Sequence, residues 1–264
     1  MSYGLTPAEF VQQVYYQQEK VLLDFYPNDD KYREVITELN FVLQELQKEE
    51  DWSWLRERIE LGTTEPQPGE QIPEYEFPRW VYKPSTKHGD NLHLYPMDRA
   101  GRINEWDRID VSWGSKGQVN LHRQMQRNWS GRVLIPDRRL IAVNLGDTVT
   151  FNRPLVGREL HCLAVCDVQR RLEPVHVMDR DGELDEDGLD PDAPKRILEE
   201  VPDPNYVVVR TAALHASGSP PAQARVQELT DAAQKLLSAM RQNDNEATEP
   251  DVLERCDFGF WNVM

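Results

Sequence analysis

With 264 residues, a mean hydropathy of -0.68 and 29% charged side chains, the chain is long enough to bury one large core or two small ones. No apolar run approaches the ~20 residues of a membrane span. A formal charge of -16, from 46 acidic against 30 basic residues, excludes tight DNA binding through a basic face and suits an acidic wall past which a polyanion moves without sticking.

The opening "MSYGLTPAEF" has neither the basic start nor the apolar stretch of a secretory leader. Cys162, Cys166 and Cys256 are too few for a disulfide framework, as expected in a reducing compartment. Asn128-Trp129-Ser130 would there be an unused glycosylation acceptor. The first helix is announced by Thr6 as N-cap, Pro7 at the first helical position and Glu9 completing a capping box. Phe10, Val14, Val21 and Phe25 fall on one face, with Val11, Tyr15 and Leu22 beside them, and Pro27 ends the pattern.

A second helix is expected from about Asp29 to Leu55, with Tyr32, Val35, Ile36, Leu39, Val42, Leu43 and Leu46 at helical spacing. The short turn between the two makes them antiparallel neighbours. Trp52 and Trp54, at its end, would lie about 200° apart on a helix, which places one in the core and the other on a neighbouring element or subunit.

From Ile59 to about Val177 helical periodicity gives way to short alternating runs. "EYEFP", "RVLIP", "RLIAVNLGDTVTF", "ELHCLAVCDV" and "EPVHVM" read as strands, "LIAV" and "HCLAV" being apolar enough for burial on both faces. "PSTKHGDNLHLYPMDRAGRINEWD" reads as a long loop. Residues 179–194 form an acidic, proline-bearing linker, after which helical patterns return in "NYVVVRTAALHASG", ending on Gly218, and in a segment stacking Val226, Leu229, Ala233, Leu236, Leu237 and Met240. The tail closes on Phe258, Phe260 and Trp261.

The implied fold is α+β, a bundle of long helices from both termini with an inserted β-rich region. Its parts are a helical hairpin over residues 1–58, the β-rich insertion with its acidic loop over 59–202, further bundle helices over 203–245 and a docking tail over 246–264.

Catalytic chemistry finds little support. His161, Cys162, Cys166 and His176 are soft ligands, but their spacing fits no zinc signature, and His161 and Cys162 point to opposite faces of an extended strand. Taking Glu183, Asp185 and Asp187 as calcium ligands puts Gly188 at the sixth position but Pro194 where a bidentate Glu is required. "GSKG" lacks the context of a phosphate loop, and no nucleophile elbow occurs. No enzyme, metal or cofactor is expected. Arg123, Arg127 and Arg132, interleaved with His122 and Trp129, could meet nucleic acid or an acidic neighbouring subunit, and the charge balance favours the subunit.

A helix pair ending in Trp52-x-Trp54-Leu55, then Thr63-Thr64, a glycine and Tyr75-x-Phe77-Pro78, resembles the head-to-tail adaptors of short-tailed bacteriophages, also called tail tubular protein A or head completion proteins. The family phrase ends Tyr-x-Leu-Pro; here Phe77 replaces the leucine. The segments after residue 203 are similar to the family's closing helices, so the likeness covers residues 6–80 and about 203–245, roughly half the chain.

The resemblance implies a virion structural protein located at the neck and assembled in the host cytoplasm. It would form a twelve-copy ring under the portal protein, extend the DNA channel without specific DNA binding and support a tail nozzle resembling tail tubular protein B, with no membrane. Phe258, Phe260 and Trp261 are the implied portal-docking residues, self-packing of the tail being the other reading. Trp52, Trp54, Tyr75 and Phe77 form the core junction, and Glu49, Glu50 and Asp51 are candidates to face the channel. The competing readings are another neck component, such as a stopper, and a metal-dependent hydrolase using His161, Cys162, Cys166 and His176.

Overall fold

Thr6 and Glu9 cap the first helix as their spacing predicts. Thr6 Oγ1 accepts from the Glu9 backbone N–H at 3.2 Å, and the Glu9 carboxylate accepts from the Thr6 N–H at 2.8 Å, so two orphan donors of the first turn are satisfied. The computed structural model describes residues 5–20, 30–65, 72–85, 92–98, 100–103, 105–114, 117, 140–176, 197–218 and 224–248. Helix α1 (Pro7–Glu19) turns Phe10, Val11 and Val14 inward and stops well before Pro27. Lys20, in the left-handed region at φ 59°, closes it by donating its N–H to the Tyr16 carbonyl. Val21, Leu22 and Phe25 lie outside the described residues.

Helix α2 (Asp30–Glu49) buries all seven predicted apolar positions but ends six residues short of Leu55. Neither tryptophan is on it. Trp52 sits in the irregular turn beyond, fully buried, and donates its indole N–H at 2.7 Å to the carbonyl of Leu46, one of the last four that a helix leaves unpaired. Trp54 follows in a single 3₁₀ turn, Ser53–Leu55. The two rings are neighbours, centroids 6.1 Å apart and tilted by 40°, where helical geometry predicts opposite faces.

After the sheet, α3 (Pro204–Gly218) is buried around most of its circumference and packs against α1, α2 and α4 (Val226–Thr248). That central position explains its run Val207-Val208-Val209, β-branched residues that tertiary burial holds in a helix against their own preference. α4 buries Leu229, Ala233 and Met240 and half-buries Val226, Leu236 and Leu237. The chain divides into two compact units, one made of Met1–Trp54 with Leu172–Met264, the other of Leu55–Arg171.

The described residues of the second unit form an eight-stranded mixed sheet: β1 (Arg56–Thr63), β2 (Glu74–Glu76), β3 (Val81–Pro84), β4 (Leu92–Pro96), β5 (Ile109–Trp113), β6 (Ile141–Asn144), β7 (Thr148–Phe151) and β8 (Cys162–Arg170). The order is β1-β8-β4-β5-β6-β7-β2, with β3 also on β8. All pairings are antiparallel except β5 with β6. β8 is the pivot: β4 and β3 lie in tandem along one side of it and β1 along the other, so seven of its nine residues are buried. Leu92, Leu94, Val111, Val149, Phe151 and Cys166 lead a core that belongs to this unit alone.

These observations overturn the expectation of a long-helix bundle carrying a β-rich insert. About 27% of the described residues are strand, their sheet is nearly closed into a barrel, and they include only four helices. Closure supplies the reason: β1 and β2, at opposite ends of the strand order, come together where the Tyr75 hydroxyl donates to the Thr63 carbonyl at 3.1 Å. A sheet that buries its own apolar face needs no helical support. Two strand expectations also change. The supposed loop over residues 84–107 contains β4, and "EPVHVM" forms no strand over its described residues 173–176. "RVLIP" and the acidic 179–194 segment lie outside the described residues.

Candidate functional site

In the helical unit, carboxylates recur along the side of α2 that meets α3 and α4. Arg210 Nη2 lies 3.0 Å from Glu45 Oε2, and Arg241 binds Glu49 Oε1 at 2.5 Å and Glu50 Oε2 at 3.1 Å. At the other end of the seam His215 joins three helices at once. Its Nδ1 is 2.9 Å from Glu38 Oε2, its Nε2 is 3.1 Å from the Tyr15 hydroxyl, and its ring stands edge-on to Tyr15 at 5.3 Å. The Glu38 hydrogen bond holds the imidazole above its ordinary pKa; burial opposes this, the Glu38 and Glu34 charges reinforce it, and Lys31 opposes it weakly.

Hydroxyl, imidazole and carboxylate in that order are the elements of a nucleophilic triad. Tyr15, however, is only 5% exposed, so its phenol cannot reach a substrate, and the three groups act as a tie between helices. Glu34, Glu38 and His215 are also, among the described residues, the one grouping of three such side chains whose ligand atoms lie within 4.8 Å of one another. Its imidazole Nδ1 is already occupied by Glu38. A cleft of about 330 Å³ between α2, α3 and α4 is walled by Glu45, Lys48, Tyr206, Arg210, Ala233 and Leu237, charges of both signs over an apolar floor.

The soft groups considered for zinc do not converge. His161 is 71% exposed, in the left-handed region at φ 60°, with Nδ1 against Glu65 at 2.6 Å. Cys162 points inward and donates to the Arg158 carbonyl, and Cys166 is wholly buried, its thiol pushed by burial up to about 12. His176 belongs to the other unit. Cys256 and the calcium candidates Glu183, Asp185 and Asp187 lie outside the described residues.

The residues of the Thr-Thr and Tyr-x-Phe-Pro phrase meet at one place in the sheet unit. Buried Thr64 donates its hydroxyl to the Glu159 carbonyl at 2.8 Å and accepts from the Cys162 N–H at 2.9 Å. Tyr75, 6% exposed, stands edge-on to Phe151, and its ring lies 3.6 Å from where a Cβ would stand on Gly62. Gly62 has φ +135°, a conformation that disfavours any side chain. Phe77 packs on the same core and donates its N–H to the Asp147 carbonyl.

Glu49 and Glu50 share Arg241, and Asp51 is half-buried. Phe258, Phe260 and Trp261, and the basic segment with His122, Arg123, Arg127, Trp129 and Arg132, lie outside the described residues. Sequence reading missed the Tyr15–His215–Glu38 junction, whose partners stand 177 and 200 residues apart. It also missed Trp106, whose only sequence signal is a large aromatic between two acids in "EWD". Among the described residues no helix is long and apolar enough to cross a membrane. Compared with known proteins, the chain matches no family model and no curated protein.

Proposed function

We propose that this chain is a structural component of a virion neck, a head-to-tail adaptor of a short-tailed bacteriophage. It would join a ring under the portal protein, extend the DNA channel and support the tail nozzle. The observation that supports this most is the use the fold makes of the phrase carrying the resemblance. Trp52 caps and closes α2, while Thr63, Thr64 and Tyr75 bring the ends of the sheet together, so the phrase marks the fixed points of both units. A scaffold requires such fixed points. The charge of -16 supports passage of a polyanion without adhesion.

The test pairs the purified chain with the portal protein of the same genome under the electron microscope. A stacked ring added to the portal is the expected result, and portal rings unchanged at every ratio would overturn the proposal. Removing residues 250–264 should leave the helical circular dichroism intact and abolish attachment. If the truncated chain still attaches, Phe258, Phe260 and Trp261 are not the docking residues.

A further inference from the structure

Among its described residues the sheet unit leaves one large aromatic side chain almost wholly in water. Trp106, in the single 3₁₀ turn Glu105–Asp107 between β4 and β5, is 97% exposed. An indole buries ~150–250 Å² when covered, so leaving it out forgoes a large hydrophobic stabilisation. Its setting is braced. Met97 and Ile103 pair across the turn before it, and the Asp98 carboxylate accepts from the backbone N–H groups of Ala100 and Arg102. On the other side Arg158 reaches Asp107 at 3.1 Å, tying this turn to the neighbouring one, Gly157–Glu159, which Arg153 fixes through Glu159 at 2.6 Å. Ile103 and Val156, on these two braced turns, are 44% and 61% exposed.

Among the described residues, the charges around these three apolar side chains pair off. Arg102 pairs with Asp98, Arg108 with Asp110 and Arg158 with Asp107, every member partly exposed. Two copies of a chain carrying -16 repel one another over most of their surface. A face with as many arginines as aspartates escapes that repulsion and, turned about a two-fold axis, is its own complement, because each arginine can meet an aspartate of the other copy. An exposed aromatic centre inside a charged rim is also the anatomy of an interface anchor.

We propose that the face around Trp106 is a self-association surface on which two copies of this chain pair, with the two indoles at the centre and the arginine–aspartate pairs exchanging across the rim. The contact is independent of the neck role, since a dimer in solution and a ring on a portal are measured separately.

Sedimentation velocity of the full chain from about 1 to about 100 μM should show the 30.7 kDa species giving way to one of twice that mass. Trp106→Ala should raise the midpoint concentration at least about 30-fold, as loss of a central aromatic anchor does. Two charge variants test self-complementarity: Arg102→Glu with Arg158→Glu, and Asp107→Lys. Each alone should fail to pair, whereas mixed together they should form a one-to-one heterodimer. Unchanged circular dichroism establishes that each variant is folded. A wild-type chain monomeric at every concentration, a midpoint unmoved by Trp106→Ala, or a mixture that does not associate would each overturn the proposal.

Discussion

Replacing Trp52 separates two roles that the structure assigns to one side chain. The ring is fully buried, and its N–H satisfies the Leu46 carbonyl at 2.7 Å. At ~25 cal/mol per Å², covering ~150–250 Å² contributes about 4–6 kcal/mol, of which alanine retains a small part. Large-to-small changes at such sites cost about 3–5 kcal/mol after partial relaxation, and the lost hydrogen bond adds roughly 1 kcal/mol. Trp52→Ala should therefore destabilise the helical unit by about 4–6 kcal/mol. Trp52→Phe, which keeps most of the apolar contact and loses the cap, should cost only about 1–2 kcal/mol. Urea unfolding followed by far-UV circular dichroism, dominated by the helices, measures both. An alanine variant within about 1 kcal/mol of wild type would show that the ring is not core, and equal losses in the two variants would place the whole effect in the cap.

The remaining predictions concern ionisation and access. Because His215 has a raised pKa in the folded state, its contribution to stability is complete below the unfolded value near ~6.5 and disappears as pH rises through the folded value. A pH-resolved melting series should show that loss in wild type and not in His215→Gln, and NMR titration should find the imidazole pKa lower in Glu38→Gln. For Asp167 burial would raise the carboxyl, but hydrogen bonds and charge from Arg58 and Arg56, at 2.8 and 2.6 Å, outweigh it and hold the pKa below the ordinary range. The stability it contributes is therefore present above the unfolded value near ~3.9 and lost as pH falls through the folded one. Asp167→Asn should destabilise the sheet unit by about 1–3 kcal/mol at neutral pH in thermal melts, the arginines remaining partly solvated; no change would refute the role of the pair. Cys162 and Cys166 should resist alkylation in the native protein at pH 8 and react fully in denaturant, read peptide by peptide by mass spectrometry.

What could be read from the sequence was local. The Thr6–Glu9 box and the seven apolar positions of α2 are short-range patterns, and the fold uses them as written. The end of α2 was not legible, because its stop is an indole reaching back six residues, and no glycine or proline marks it. β4 was hidden among charged and glycine-bearing neighbours; its strand character comes from pairing with β5 and β8, the latter some seventy residues away. "EPVHVM" alternates like a strand, yet both the N–H and the carbonyl of Val175 are held by the side-chain amide of Asn40, at 2.7 and 2.9 Å, in place of a sheet neighbour. Closure of the sheet, the departure from the expected bundle, depends on Thr63 and Tyr75 meeting across strands that local periodicity cannot order. At the candidate sites the limit was the same: His215, Tyr15 and Glu38 are unremarkable until three distant helices bring them together.

Because the helical unit is assembled from both ends of the chain, its making has a fixed timetable. Once Trp54 has left the ribosome, roughly 150 more residues must be translated before α3 begins, which at ~5–20 residues per second takes about 8–30 s. During that wait the greasy sides of α1 and α2 have no α3 to cover them, while the sheet, contiguous in sequence, can complete itself. The nascent protein should therefore be most susceptible to aggregation, and most in need of chaperones, in the interval when its second half is still being synthesised.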